Sequence, residues 1–126
     1  MSLNEQLKDA CEEIRNHLLE GIVPFWLKNG IDSKHGGYLT GFDMKGVPSQ
    51  NTNKYVVTQT RMIWGFSNFF RAFPNQTPLR EAAVHGVDFF LSYFWDSKNG
   101  GVRWSVSREG KPIDSAKLVY GQSFAI

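Results

Sequence analysis

A single cysteine, Cys11, stands in the 126 residues, so no disulfide can form within the chain. On its helical stretch Cys11 reads as a small apolar residue. Histidine is almost as scarce: His17, His35 and His85 are the whole set. No two of them share the spacing of a metal pair or of an acid–base pair, so each reads as a surface or structural residue. Runs of one charge are missing too. The 14 basic and 12 acidic residues are mixed, with a net charge of +2, and neither a nucleic acid nor an anionic membrane is an expected partner. No apolar run approaches the ~18 residues of a membrane span. The opening stretch MSLNEQLKDACEEIRNHLLEG is charged throughout, which a signal peptide is not. A reducing cytoplasm is the expected compartment.

What is abundant is apolar and aromatic. Aromatics reach 14% and apolar residues 41%, which excludes a disordered chain and allows one domain with a real core. Apolar positions recur at helical spacing from Leu7 through Cys11, Ile14, Leu18 and Ile22. They predict a helix over about 4–20, which Pro24 should end or kink. A second helix is expected over about 52–72, capped by Asn or Thr near its start. It is apolar nearly all round, so it should be covered on most sides. A third is expected over 78–95, after PNQTP, and a fourth over 116–126. The formal sequon Asn75-Gln76-Thr77 reads as loop chemistry, and YLTGFD as a short strand.

Between these helices one motif occurs twice. DSKHGGYLTGFDMKGVP begins at Asp32 and DSKNGGVRWSVSREGKP at Asp96. With Asn53 deleted, the match continues through Lys54 and Lys117, Val56 and Val119, Gln59 and Gln122, and Ile63 and Ile126. Glycines recur where a turn needs φ > 0 or a close backbone approach. The glutamines recur as a shared structural hydrogen bond. The Asp loops lack the DxDxDG carboxylate spacing of calcium sites, so no metal is assigned. The chain therefore divides into two units, about 1–63 and 64–126, each a helix pair joined by a glycine-rich hairpin loop. Such units stack because one alone cannot bury its apolar face. The last helix runs out at Phe124-Ala125-Ile126 without a cap, so the chain reads as part of a longer array.

PFWLKNGIDSKHGGYLTGFDMKG with KYVVTQTRMIWGFS resembles the opening of the N-acylglucosamine 2-epimerase and cellobiose 2-epimerase family. FWDSKNGGVRW with GKPIDSAKLVYGQSFAI resembles that family's second unit. The resemblance implies an all-α fold, the first part of an (α/α)6 barrel in which the whole protein is about three times as long. It implies a carbohydrate isomerase that moves a proton at sugar C2 without a cofactor. Two histidines act as acid and base, and an arginine steadies the enediolate oxygen. Arg61, in TQTRMIW, matches that arginine, and Phe124, in YGQSFAI, matches a ring lining the sugar pocket. Arg61 and Phe124 are also equivalent positions of the repeat. Tyr55 and Tyr120 stand near the starts of their helices, within reach of a ligand. Trp64 reads either as packing or as a platform for a sugar face. No residue matches the catalytic histidines, so the chain alone is expected to be inactive. The expected partners are a mono- or disaccharide, and either a second copy or the rest of the barrel. Two other readings stand beside this one. One is a glycoside hydrolase on the same barrel, which needs a carboxylate pair that is absent here. The other is a non-enzymatic carbohydrate-binding or interaction piece.

Overall fold

Pro24 does not end the first helix. In the computed structural model, which describes residues 2–126, helix α1 (Leu3–His17) runs through a π-helical turn (Leu18–Ile22) into α2 (Val23–Asn29). The Val23 N–H donates to the Leu18 carbonyl, five residues back. Widening the helix by one residue frees the space that the proline ring would otherwise contest with the preceding turn. Ser2 and Glu5 cap the start reciprocally: each side chain accepts from the other's backbone N–H. None of the α1 residues is buried, so the apolar Leu3, Leu7 and Ile14 and the free Cys11 are exposed.

The remaining elements are β1 (Lys54–Tyr55), α3 (Val56–Ala72), α4 (Thr77–Tyr93), β2 (Ser105–Val106), β3 (Pro112–Asp114) and α5 (Val119–Ala125). The fold is thus mainly helical, as expected, but it also contains an antiparallel sheet in the order β1-β2-β3. The register pairs Lys54 with Val106 and Tyr55 with Ser105. This sheet explains why the second helix starts at Val56 and not at 52. No side chain caps α3. Its first N–H, on Val56, donates to the carbonyl of Trp104, just before β2. The last helix also starts late, at Val119. Before it, the Asp114 carboxylate accepts the Ala116 N–H and holds a turn that helical backbone cannot make. YLTGFD forms only isolated bridges, Ile31 with Tyr38 and Phe42 with Pro48. The reason is local: the Gln59 side chain takes both the N–H and the carbonyl of Tyr38, which removes them from any ladder.

Gln122 does the same to Val102. The correspondence extends through both loops. Asp32 N–H donates to Gly37 O and Gly36 N–H to Asp32 O; Asp96 with Gly101 and Gly100 with Asp96 repeat the pattern. Gly37 and Gly101 sit at φ 64° and 70°. A Cβ on either would lie 2.8 or 2.7 Å from the glutamine oxygen that holds the loop. Glycine is required twice over, by conformation and by space.

The core has two parts. Val23, Tyr38, Phe66, Leu79, Ala82 and Ala83 form one, and Val56, Phe89, Phe90, Phe94, Val102 and Val106 the other. Helices α3 and α4 run through both. At Gly86 of α4 the Tyr38 ring lies so close that a Cβ would fall about 2.4 Å from the ring. The ring cannot retreat, because it is fully buried and its hydroxyl donates to the Ala82 carbonyl at 2.6 Å. Alanine would gain about 1 kcal/mol of helix propensity, but overpacking costs about 1–3 kcal/mol. Gly86→Ala is therefore expected to destabilise. A denaturant melt showing an unchanged or raised midpoint would contradict this packing.

Candidate active site

Arg61 lies on α3, one and a half turns from its start, and is exposed. Its guanidinium carbon stands 5.1 Å from the centre of the Phe124 ring. Phe124 in turn meets Tyr120 edge-on, with ring centres 5.0 Å apart. The residue that allows this is Gly121. A Cβ there would lie 2.9 Å from Val56 and 3.2 Å from the Trp104 ring, so glycine lets α5 close on the start of α3. Phe124 follows Gly121 by three residues and comes round on the same face. Among the described residues Arg61 makes no ion pair. Its donors are held by a ring and not by a carboxylate, which leaves them available to an oxygen of a ligand.

Trp64, one turn after Arg61, is 70% exposed. With Phe124, Ile63, Phe90 and Leu91 it lines an open groove of about 390 Å³. Arg61 itself borders a smaller cleft of about 140 Å³ with Trp26, Met62 and Phe66. Arg61, Phe124 and Tyr120 are thus brought into one stack, and Trp64 shares the groove with Phe124. Tyr55 lies apart from that stack, half-buried in β1. No histidine lines either cavity. His85 is tied to the loop, with Nε2 3.1 Å from the Gly37 carbonyl. His17 is exposed in the last turn of α1 and His35 lies in the first loop. Among the described residues no cluster of His, Cys, Asp and Glu could hold a metal ion.

One charged group escaped the reading of the sequence. Asp32, whose side chain is fully buried, accepts from Lys54 Nζ at 3.0 Å and from both Nε and Nη2 of Arg108, at 2.9 and 3.0 Å. Lys54 also donates to the carbonyls of Gly36 and Arg108, and its ammonium sits 4.2 Å from the centre of the Phe89 ring. Burial pushes the Asp32 carboxyl up, but the bonds from Arg108 and Lys54 outweigh it and hold the group well below the usual carboxylate range. The recurrence of Asp and Lys in both units was the available signal. Nothing in the sequence marked Arg108, whose counterpart in the first unit is Met44.

The chain as a whole is similar to known proteins. The structure superimposes on that of cellobiose 2-epimerase from Spirochaeta thermophila DSM 6192 with a TM-score of 0.90 and 30% identity, over 99% of this chain and 30% of that one. The sequence model of the N-acylglucosamine 2-epimerase (GlcNAc 2-epimerase) family matches residues 36–126, and the chain belongs to this family. It is 36% identical over 122 residues to cellobiose 2-epimerase of Dictyoglomus turgidum, covering 95% of this chain and 30% of the relative. The corresponding enzyme of Ruminococcus albus is 35% identical over 119 residues, 90% of this chain and 29% of the relative. The chain thus spans about 30% of the length of the curated relatives it matches.

Proposed function

We propose that this chain forms the opening two helix pairs of an (α/α)6 barrel that epimerises a sugar at C2 by proton transfer. The observation that carries the reading is the Arg61 guanidinium, exposed, without an ion pair among the described residues and held over the Phe124 ring. When a base removes the proton at C2, the electron pair moves toward the carbonyl carbon and charge gathers on its oxygen. Fixed N–H donors aimed at that oxygen lower the barrier, because they favour the charged state over the ground state. Return of a proton to the opposite face of C2 completes epimerisation. The acid and base are the histidines expected of such a barrel. None of the three histidines here lines the Arg61 or Trp64 cavities, so the 126 residues alone are expected to exchange no C2 proton. In this reading Trp64 and Phe124 offer apolar faces to the sugar ring, and Tyr120 fixes the plane of Phe124. Tyr55, in β1 just before α3, lines neither cavity and would contact only a substrate that extends past the stack.

The test is a chimera in which this chain replaces the matching segment of the Dictyoglomus turgidum enzyme. The expected result is deuterium incorporation at C2 of cellobiose in heavy water. A chimera that melts cooperatively and binds the sugar, yet exchanges nothing, would overturn the catalytic reading in favour of carbohydrate binding alone.

A further inference from the structure

The two glycine loops repeat one another, but the second is less covered: both aspartates are buried, whereas the partner lysine is buried only in the first. Lys54 has three oxygen partners and a side-chain exposure of 1%. Its counterpart Lys117 donates to Asp96 Oδ2 alone, at 2.9 Å, and is 30% exposed. Asp32 accepts the whole fork of Arg108, an arginine from the turn of the following unit. Asp96 receives no such fork: besides Lys117 and the N–H groups of Lys98 and Asn99, it accepts the Asn99 side-chain amide on Oδ2 at 3.3 Å. Arg103 of its own unit stands 3.7 Å away, with Nη1 engaged by the carbonyls of Tyr93 and Trp95. A Cβ on Gly36 would press on the Phe89 ring of α4, at 3.0 Å; one on Gly100 meets nothing within 4 Å. The strand edge differs in the same way. Lys54–Tyr55 pairs with β2, and Val56 behind it is fully buried. The equivalent Lys117 and Leu118 belong to no strand, although Leu118 is extended, and Val119 is 84% exposed.

We infer that the face formed by Asp96, Lys117, Gly100 and the Lys117–Val119 edge is a docking surface for an arginine-tipped antiparallel turn from a further helix–loop–helix unit. The arginine would take both oxygens of Asp96, and the carbonyl of the same residue would take Lys117 Nζ. The strand before the turn would pair with Lys117–Leu118 and bury Val119. An aromatic ring from the unit's preceding helix would cover Gly100. Arginine is specified over lysine because the two carboxylate oxygens match a planar fork. A second copy of this chain is the poorer occupant, since its Arg108 is already committed to its own Asp32. The inference rests on the reading of the chain as stacked units, and not on its sugar chemistry.

The probe is a head-to-tail cyclised peptide carrying residues 104–114 of this chain, added to the 126-residue protein and followed by amide NMR. Lys98 and Asn99 report on the site, because their N–H groups donate to Asp96 Oδ1. Lys34 and His35 are the internal control, since they donate to the occupied Asp32. Saturable shifts are expected at Lys98, Asn99 and Val119 and not at the control pair. Affinity should fall at least tenfold when the peptide carries Arg108→Gln, or the protein Lys117→Met. Absence of shifts, or equal binding of the Gln peptide, would overturn the proposal. Shifts of the same amides with rising protein concentration and no peptide would give the surface to a second copy and also overturn it. Because no sugar is involved, an inactive chimera leaves this result standing, and a failure here leaves the role of Arg61 open to its own test.

Discussion

Asp32→Asn is expected to lower the unfolding free energy by about 3–5 kcal/mol, the cost of leaving a buried charge without its partner. Lys54 is 1% exposed. In the variant its ammonium would keep two carbonyls and the Phe89 ring but lose the carboxylate that neutralises it. Arg108 would lose a bidentate anchor 76 residues away in sequence, and with it the tie between the two units. The double variant Asp32→Asn/Lys54→Met should be less unstable than the sum of the two single changes, since it leaves no buried ammonium unpaired, and the partly exposed Arg108 can turn to solvent. The pH dependence follows from the direction of the shift. A carboxyl held below its ordinary value stabilises the fold fully above the unfolded-state value of about 3.9. That stabilisation is lost progressively as pH falls below it toward the folded value. Urea melts of the native protein should therefore weaken between about pH 4 and pH 2 more steeply than those of the variant. A loss below about 1 kcal/mol at neutral pH, the range of a surface ion pair, would show that the triad does not hold the units together.

Arg61→Ala in the chimeric barrel should reduce kcat by about 10²–10³-fold, or some 3–4 kcal/mol, if Arg61 supplies a preorganised donor to the enediolate oxygen. Thermal stability should hardly change, because the side chain is exposed and makes no ion pair among the described residues. Arg61→Lys keeps the charge but not the planar fork, so rescue should be partial. Phe124→Leu removes the ring beneath the guanidinium. An exposed cation–π contact is worth about 0.5–1 kcal/mol, so turnover should fall only severalfold. That ranking, with Ala far worse than Lys and Leu mildest, separates a catalytic arginine from a merely packed one. Near-normal turnover of Arg61→Ala alongside a large drop in Tm would remove Arg61 from the reaction.

The helices were legible because their apolar periodicity is local, and the glycine loops because positive φ admits little but glycine at Gly37 and Gly101. The starts of α1 and α4 were read to within a residue, but those of α3 and α5 were not legible. The first N–H of α3 is satisfied by Trp104, 48 positions further on, and no local cap rule could anticipate that. Pro24, expected to end or kink the helix, does not end it: the regular helix is interrupted by a single wide turn that accommodates the ring, and α2 packs against the core through Val23. The likeness of the two units could be read directly, whereas their different degrees of cover could not.

By itself, then, the amino-acid sequence determined the mainly helical class, the duplicated Asp–Gly-Gly loops and the epimerase family, all of which rest on residue identity and spacing. The tertiary structure decided which charges are buried and which side chains meet. Arg108 reaches Asp32 across 76 residues, and α5 closes on α3 only because Gly121 has no side chain to obstruct it. Both depend on distances between segments remote in sequence, and such distances are set by packing of the whole core and not by any local pattern.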